Sequence, residues 1–255
     1  MALSVVGALI LGVLAGELVN ALADRIVGVD EPIWSASQCR KCLTPLPPPA
    51  PLALRELARR RICGACGQRT SLRRPLTQLA LTLLAPGLLW RAYSTPAPGN
   101  LPAWALFGMA LAATVALTFI FVVDLEHRLI YDISIFPLLV ALLALTAIFD
   151  RKHLLTLVFA GVFCGLLFLM FYGLGWLLYR QEALGFGDVK LALLVGVAVG
   201  WPGLITALFV TMVSSAIISL LLLASGSAER RTFIPFGVFM AGAAVFALLS
   251  APLPW

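Results

Sequence analysis

Charged residues are scarce in this sequence. They make up 12% of its 255 residues, whereas 61% of the residues are hydrophobic and the mean hydropathy is +1.01. A soluble domain of this length needs far more polar surface, so the composition excludes an ordinary soluble protein and places most of the chain in lipid. Basic residues are also absent from the first ten positions. We therefore expect the apolar start to be a retained membrane span and not a cleaved secretory signal.

The regular alternation of polar and apolar residues that marks membrane β-strands is lacking as well. Long runs of Leu, Ala, Val and Phe with interspersed Gly instead predict an all-α polytopic membrane protein. Crossing the hydrocarbon core takes about 20 helical residues, and eight stretches approach that length, although the sixth is too short to cross upright. They run near 3–22, 76–92, 103–123, 133–149, 154–178, 189–200, 203–224 and 233–252.

Basic residues are unevenly spread, since ten of the eighteen Lys and Arg lie between Arg25 and Arg74. If that segment is cytoplasmic and the spans alternate from there, 15 Lys and Arg fall inside and 3 outside, a strong positive-inside bias. The stretches around Asp124 and Asp188 then face the cytoplasm. No aromatic-interleaved motif accompanies the basic charge, so we expect a bilayer and not a nucleic acid as the partner.

The predicted organisation has three parts: a first transmembrane helix at 1–23, a cytoplasmic loop at 24–75 and a seven-helix membrane domain at 76–255. The loop has too little apolar content to form an unaided core. Two C-x-x-C pairs could stabilise the loop instead, because four thiolates at this spacing suit a closed, structural tetrahedral Zn²⁺ site. Disulfides are the alternative, disfavoured in a reducing cytoplasm. The four candidate ligands are Cys39, Cys42, Cys63 and Cys66.

Two acids stand at the ends of apolar spans, where ionisable residues are costly and are functional candidates by default. Asp124 directly follows the third span, and Asp188 precedes the sixth, after Gly185 and Gly187. Two carboxyl groups that share a site do not ionise together readily, so one can take a proton from water while the other donates to a scissile carbonyl. This pairing is typical of an aspartyl protease, and the residues leave open which acid has which role.

Each acid also has a structural interpretation. Asp124 could be a solvated helix end that pairs with Arg128, and Asp188 could cap the helix that follows it. Arg128 and Lys190 are candidates to orient the acids, and Asp132 is a further acid in the first cluster. Glu17, inside the first span, either reaches the membrane edge or helps to bind substrate.

Several blocks resemble the bacterial type IV prepilin peptidases, which are GxGD-type aspartyl proteases. Gly185 to Leu191 resembles the second catalytic block of that family, and Asp124, eight residues before Asp132, resembles the first. The cysteine pairs resemble its zinc-binding loop, and Gly12 to Ala21 is similar to its N-terminal membrane motif. The last family block is matched by Ile234-Pro235-Phe236-Gly237.

The resemblance implies a function. Members of this family cut the basic leader from type IV prepilins or type II secretion pseudopilins at the cytoplasmic face of the bacterial inner membrane, usually after a Gly. Many then methylate the new N-terminal residue with S-adenosylmethionine. Asp124 and Asp188 would form the catalytic dyad, and Gly185, Gly187 and Lys190 would support it.

Four positions depart from the family pattern. Glu17 stands where Ser is common, and Gln78 stands where a Glu is usual. Tyr131 and Val238 each replace a usual Pro. The change at Gln78 concerns the methyltransferase activity and not the protease.

Two other classes of function fit some of the same residues. A transporter could use both acids to relay protons or bind a cation, but it predicts acids near the membrane centre and an inverted repeat, and the sequence has neither. An inactive scaffold for pilus assembly predicts that replacing either acid leaves pilin processing unchanged.

Overall fold

The structure is a computed structural model that describes residues 2–26, 42, 44, 65–67, 72–94, 101–180, 184–226 and 235–255. Within these residues it contains seven α-helices and no strand. In chain order they are α1 (Ala2–Ile26), α2 (Arg73–Ser94), α3 (Ala103–His127), α4 (Asp132–Phe149), α5 (Arg151–Tyr179), α6 (Phe186–Ala224) and α7 (Phe236–Ser250). The all-α fold class predicted from the apolar runs is thereby confirmed.

Five of these helices are long and apolar enough to cross a membrane, and α7 is a shorter apolar helix. The protein is thus a multi-pass helical membrane protein. The predicted sixth and seventh spans, 189–200 and 203–224, correspond to the two arms of α6, which are separated by non-helical backbone at Gly200 and Trp201. The arrangement of eight separate crossings stays a prediction.

A break at Gly200 and Trp201 divides α6 into two arms. Gly200 has φ 50° and ψ −169°, a backbone conformation essentially restricted to glycine, and Trp201 is extended. Pro202 follows, and it cannot donate a hydrogen bond to the preceding turn. A straight helix of this length would span about 58 Å, almost twice the thickness of the hydrocarbon core, so the break lets α6 change direction.

The chain forms two compact units, residues Met1–Leu89 and Trp90–Trp255. In the first unit α1 packs closely on the first half of α2. A Cβ atom at Gly12 would lie 2.6 Å from the carbonyl oxygen of Leu81, and one at Gly16 would lie 2.6 Å from Cα of Gln78. Small residues at such positions allow two membrane helices to approach backbone to backbone.

In the second unit α6 is the central helix and packs against α4, α5 and α7. Helix α7 also packs against α3, so the end of α3 and the starts of α6 and α7 belong to one framework. The first arm of α6 is almost entirely buried, with Leu191, Leu194 and Val195 fully enclosed. Burial on all sides explains why this arm is apolar around its whole circumference.

Replacing Gly200 with Ala is expected to destabilise the second unit. The glycine-only backbone conformation alone costs a non-glycine residue about 1–3 kcal/mol. The new Cβ would also lie 2.4 Å from Cβ of Pro254. Thermal unfolding in detergent micelles measures the effect. Gly226→Ala is the matched control, because Gly226 also has a positive φ of 67° but has no neighbouring atom within 4 Å of the added Cβ. Equal losses in the two variants would contradict the role of crowding.

Candidate active site

Asp124 lies in the last turn of α3 and is only 4% exposed. Its Oδ2 atom accepts a hydrogen bond from the backbone N–H of Val238 at 2.9 Å. Val238 is the third residue of α7, so the carboxylate lies at a helix N-terminus, where free N–H groups and the helix dipole favour an anion. Asp124 is therefore a buried group bonded to another helix, and not a solvated helix end.

Helix α3 ends one turn after Asp124. The backbone N–H of Arg128 donates to the Asp124 carbonyl oxygen at 2.9 Å, and Arg128 has a left-handed φ of 56°. The Arg128 side chain is exposed, and its positive charge acts on the Asp124 carboxylate. This turn directs the chain away from α3 and leads through Ile130 to the start of α4.

Asp188 lies in the first turn of α6 and is 6% exposed. Gly185 is the N-cap, and the Asp188 backbone N–H donates to its carbonyl oxygen at 3.0 Å. The carboxylate folds back toward the cap, because a Cβ atom at Gly185 would lie 3.4 Å from Oδ2 of Asp188. Asp188 is thus the third residue of α6, and its carboxylate lies beside the N-cap residue Gly185.

The two acids belong to one cluster within the second unit. The side chain of Ile130 lies 3.1 Å from where a Cβ of Gly187 would stand and 3.0 Å from the corresponding position of Gly237. A Cβ at Gly237 would also lie 2.7 Å from Oδ2 of Asp124. The charge of Asp124 acts on the Asp188 carboxyl group. Two buried carboxyl groups therefore interact across a site that two glycines leave open and Ile130 partly fills.

Asp132 has a different partner from Asp124. Its carboxylate pairs with Nζ of Lys190 at 2.6 and 2.9 Å, and Lys190 lies 5.4 Å above the ring of Phe186. Asp132 begins α4 and Lys190 is in the first turns of α6, so this ion pair joins the starts of the two helices. Lys190 thus supports the position of the Asp188 turn and neutralises Asp132.

The predicted zinc site lies largely outside the described residues. Cys39 and Cys63 are not among them, whereas Cys42 and Cys66 are, each in a turn. Sγ of Cys42 lies 3.2 Å from Oγ1 of Thr44. No group of three or more potential metal ligands occurs in the described part of the chain, so the four-cysteine site stays a prediction.

Sequence reasoning did not identify three contributors to the site. They are Ile130, the backbone N–H of Val238 and the close approach of Gly237 to Asp124. Only one local signal was available: a Pro-x-Gly stretch at the start of an apolar span is typical of a helix N-terminus, which is an anion site. No local feature of the sequence predicts that Ile130 lies beside both Gly187 and Gly237.

A helical membrane protein with two buried, interacting carboxyl groups at helix ends fits the class of intramembrane aspartic peptidases. The sequence profile of the type IV leader peptidase family matches residues 111–220. A prepilin leader peptidase/N-methyltransferase of Aeromonas hydrophila is 31% identical over 87% of this chain and 75% of its own length. The chain belongs to the type IV leader peptidase family.

Other relatives carry the same name. A prepilin leader peptidase/N-methyltransferase of Pseudomonas aeruginosa is 27% identical over 94% of this chain and 88% of its own length. A prepilin leader peptidase/N-methyltransferase of Stutzerimonas stutzeri is 28% identical over 95% of this chain and 89% of its own length. No solved structure matches the chain. The similarity therefore covers both units and not the catalytic stretch alone, and it makes the protein a membrane aspartic endopeptidase.

Breaking the pair of Asp132 and Lys190 should cost little stability. The side chains are 56% and 28% exposed, and exposed ion pairs contribute at most about 1 kcal/mol. A double-mutant cycle with Asp132→Asn and Lys190→Gln, measured by thermal unfolding in micelles, gives their coupling. A coupling of several kcal/mol would contradict this and indicate a buried, structural pair.

Proposed function

We propose that this protein cleaves the leader peptide of type IV prepilins or type II secretion pseudopilins, with Asp124 and Asp188 as the catalytic dyad. The observation that carries the proposal is the shared cluster of two buried carboxyl groups beside Gly187 and Gly237. Family membership and the printed names of the relatives support the leader peptide as the substrate.

The two acids have distinct roles in this proposal. Asp124 accepts an N–H hydrogen bond at a helix N-terminus, a place that favours an anion, so in this proposal it is the ionised base that takes a proton from water. Asp188 is the protonated acid that donates to the scissile carbonyl oxygen. The hydroxyl adds to the carbonyl carbon, the C–N bond breaks, and the leaving amine takes up the proton held by Asp124.

The glycines give the substrate backbone room to approach the acids. An added Cβ at Gly237 would lie 2.7 Å from Oδ2 of Asp124, and one at Gly187 would be crowded by Ile130 at 3.1 Å. Because Ile130 lies beside both glycines, a small substrate residue next to the cut fits best. This agrees with the cleavage after Gly that the family resemblance implies.

We place the active site at the cytoplasmic face of the bacterial inner membrane. The bias of 15 inner against 3 outer Lys and Arg supports this orientation. Asp124 is in the last turn of α3 and Asp188 in the first turn of α6, so both acids are at helix ends. Acids near that face would attract the basic leader of a prepilin.

A structural zinc ion and a second activity complete the proposal. Four cysteines would hold Zn²⁺ in the loop at 24–75, leaving no open coordination position for chemistry. The N-methyltransferase in the names of the relatives supports methylation of the new N-terminus, for which S-adenosylmethionine supplies the methyl group. In this view the cleaved pilin and the bilayer are the partners, and no nucleic acid takes part.

Transport remains the alternative function. It would use the same carboxyl groups to carry protons or a cation. The acids lie at helix ends and the similar proteins are named as peptidases, so no observation favours it.

Cleavage should require both acids. Co-expression with a type IV prepilin, followed by mass measurement of the pilin, is expected to show leader loss with the intact enzyme. Asp124→Asn and Asp188→Asn each remove an ionisable carboxyl group and should abolish leader loss. Methylation would appear in the same spectra as one additional methyl group.

Glu126→Gln is the matched control for these variants, because Glu126 is an acid two residues from Asp124 that interacts with His127. It should process the pilin like the intact enzyme. Leader loss in the Asp124 or Asp188 variant would show that the dyad is assigned wrongly. An uncleaved pilin with the intact enzyme would count against the substrate.

Gly237→Ala should reduce cleavage strongly, by about tenfold or more if the displaced carboxylate loses 1.4 kcal/mol of transition-state stabilisation. The added Cβ would lie 2.7 Å from Oδ2 of Asp124 and must displace it. Gly242→Ala is the control on the same helix, since its Cβ would meet Phe121 at an ordinary 3.6 Å. Comparable rates for the two variants in the co-expression assay would contradict the importance of this contact.

A further inference from the structure

A second polar cluster lies within the first unit, between α1 and the first half of α2. Nε2 of Gln78 donates to Oε1 of Glu17 at 2.8 Å, and Nδ2 of Asn20 donates to the carbonyl oxygen of Arg74 at 3.1 Å. Glu17 and Asn20 are three positions apart on α1, and Arg74 and Gln78 are four apart on α2. They therefore lie on the facing sides of the two helices. The peptidase chemistry uses none of these side chains.

This cluster is in the apolar part of α1. Glu17 precedes Asp24 by seven positions, or about 10 Å along a helix, and Asp24 pairs with Arg73 at the charged end of the helix pair. The helices touch backbone to backbone beside it, because a Cβ at Gly16 would lie 2.6 Å from Cα of Gln78. An ionisable carboxyl group within an apolar membrane helix costs free energy and is therefore a functional candidate.

Asn20 supplies a second, independent indication of a ligand. The residue is 4% exposed, and its Oδ1 atom has no hydrogen-bond partner among the described residues. Its orientation is determined by Arg74, whose carbonyl oxygen only accepts and so must face the amide NH₂ group. The remaining oxygen is a buried acceptor that lacks a donor, on the same helix face as the Glu17 carboxylate.

We propose that Glu17 and Asn20 bind an organic ammonium group, with Gln78 positioning the Glu17 carboxylate. An ammonium group combines a positive charge with several N–H donors, which match one carboxylate and one amide oxygen. The inference rests on the proposed function, because leader cleavage creates a new N-terminal ammonium group and methylation acts on that nitrogen. The methionine part of S-adenosylmethionine carries the same chemical group.

Glu17→Gln separates the ammonium site from a structural contact. The glutamine oxygen can still accept the hydrogen bond from Gln78, so this contact between the two helices is kept. Loss of the negative charge should weaken binding of an ammonium group about tenfold or more. The double variant Glu17→Ser with Gln78→Glu returns the carboxyl group from the other helix and should restore binding.

Binding is measured on the purified full-length protein in detergent micelles with two probes. One is a synthetic peptide of a mature pilin N-terminus, with a free or an acetylated amine, and the other is S-adenosylmethionine. The intact protein should prefer the free amine, and Glu17→Gln should lose that preference. Leu18→Ala, an exposed change on the same helix, is the control and should behave like the intact protein.

The outcomes distinguish the two sources of the ammonium group. Loss of the free-amine preference identifies the pilin N-terminus, and weaker S-adenosylmethionine binding with unchanged peptide binding identifies its methionine part. Unchanged binding of both probes in Glu17→Gln, or a double variant that binds neither, overturns the proposal. Leader cleavage by the control Leu18→Ala should equal that of the intact enzyme, so a failure of cleavage itself counts against the proposed peptidase function alone.

Discussion

A carboxyl group buried in an apolar helical protein needs hydrogen-bond donors, and this requirement organises the second unit. Backbone N–H groups inside a helix are already bonded, so only the first turns of helices offer free ones. Asp124 uses the start of α7 and Asp188 is in the first turn of α6. The chain therefore has to begin two helices beside the end of a third, and the Gly185 and Pro235 caps do this.

The first unit meets the same requirement in another way. Glu17 lies within α1, and a side-chain amide on the neighbouring helix, that of Gln78, donates a hydrogen bond to it. Such a site lies between helices and accepts a small polar group, whereas a site at helix ends can receive an extended peptide. In the proposed function the two polar clusters have different tasks, which are peptide cleavage and recognition of an amine.

Space matters as much as charge at the dyad. No side chain projects from Gly187 or Gly237 beside the acids, and Ile130 lies against both glycines. Asp132, a third acid beside the site, is neutralised by its ion pair with Lys190. The two carboxyl groups, the space beside them and the ion pair that neutralises Asp132 therefore come from residues on α3, α4, α6 and α7 and in the connection after α3.

The sequence by itself determined the helical membrane class, the candidate acids and the family, because apolar runs, costly ions and short blocks are local features. It also indicated most helix positions, including the two arms of α6 on either side of the break at Gly200. The contact of Ile130 with both glycines, the N–H donated to Asp124 by Val238 and the pairing of Glu17 with Gln78 were decided only by the tertiary structure. Each joins residues 57 or more positions apart, and the local periodicity of a sequence carries no information about which distant side chains will meet.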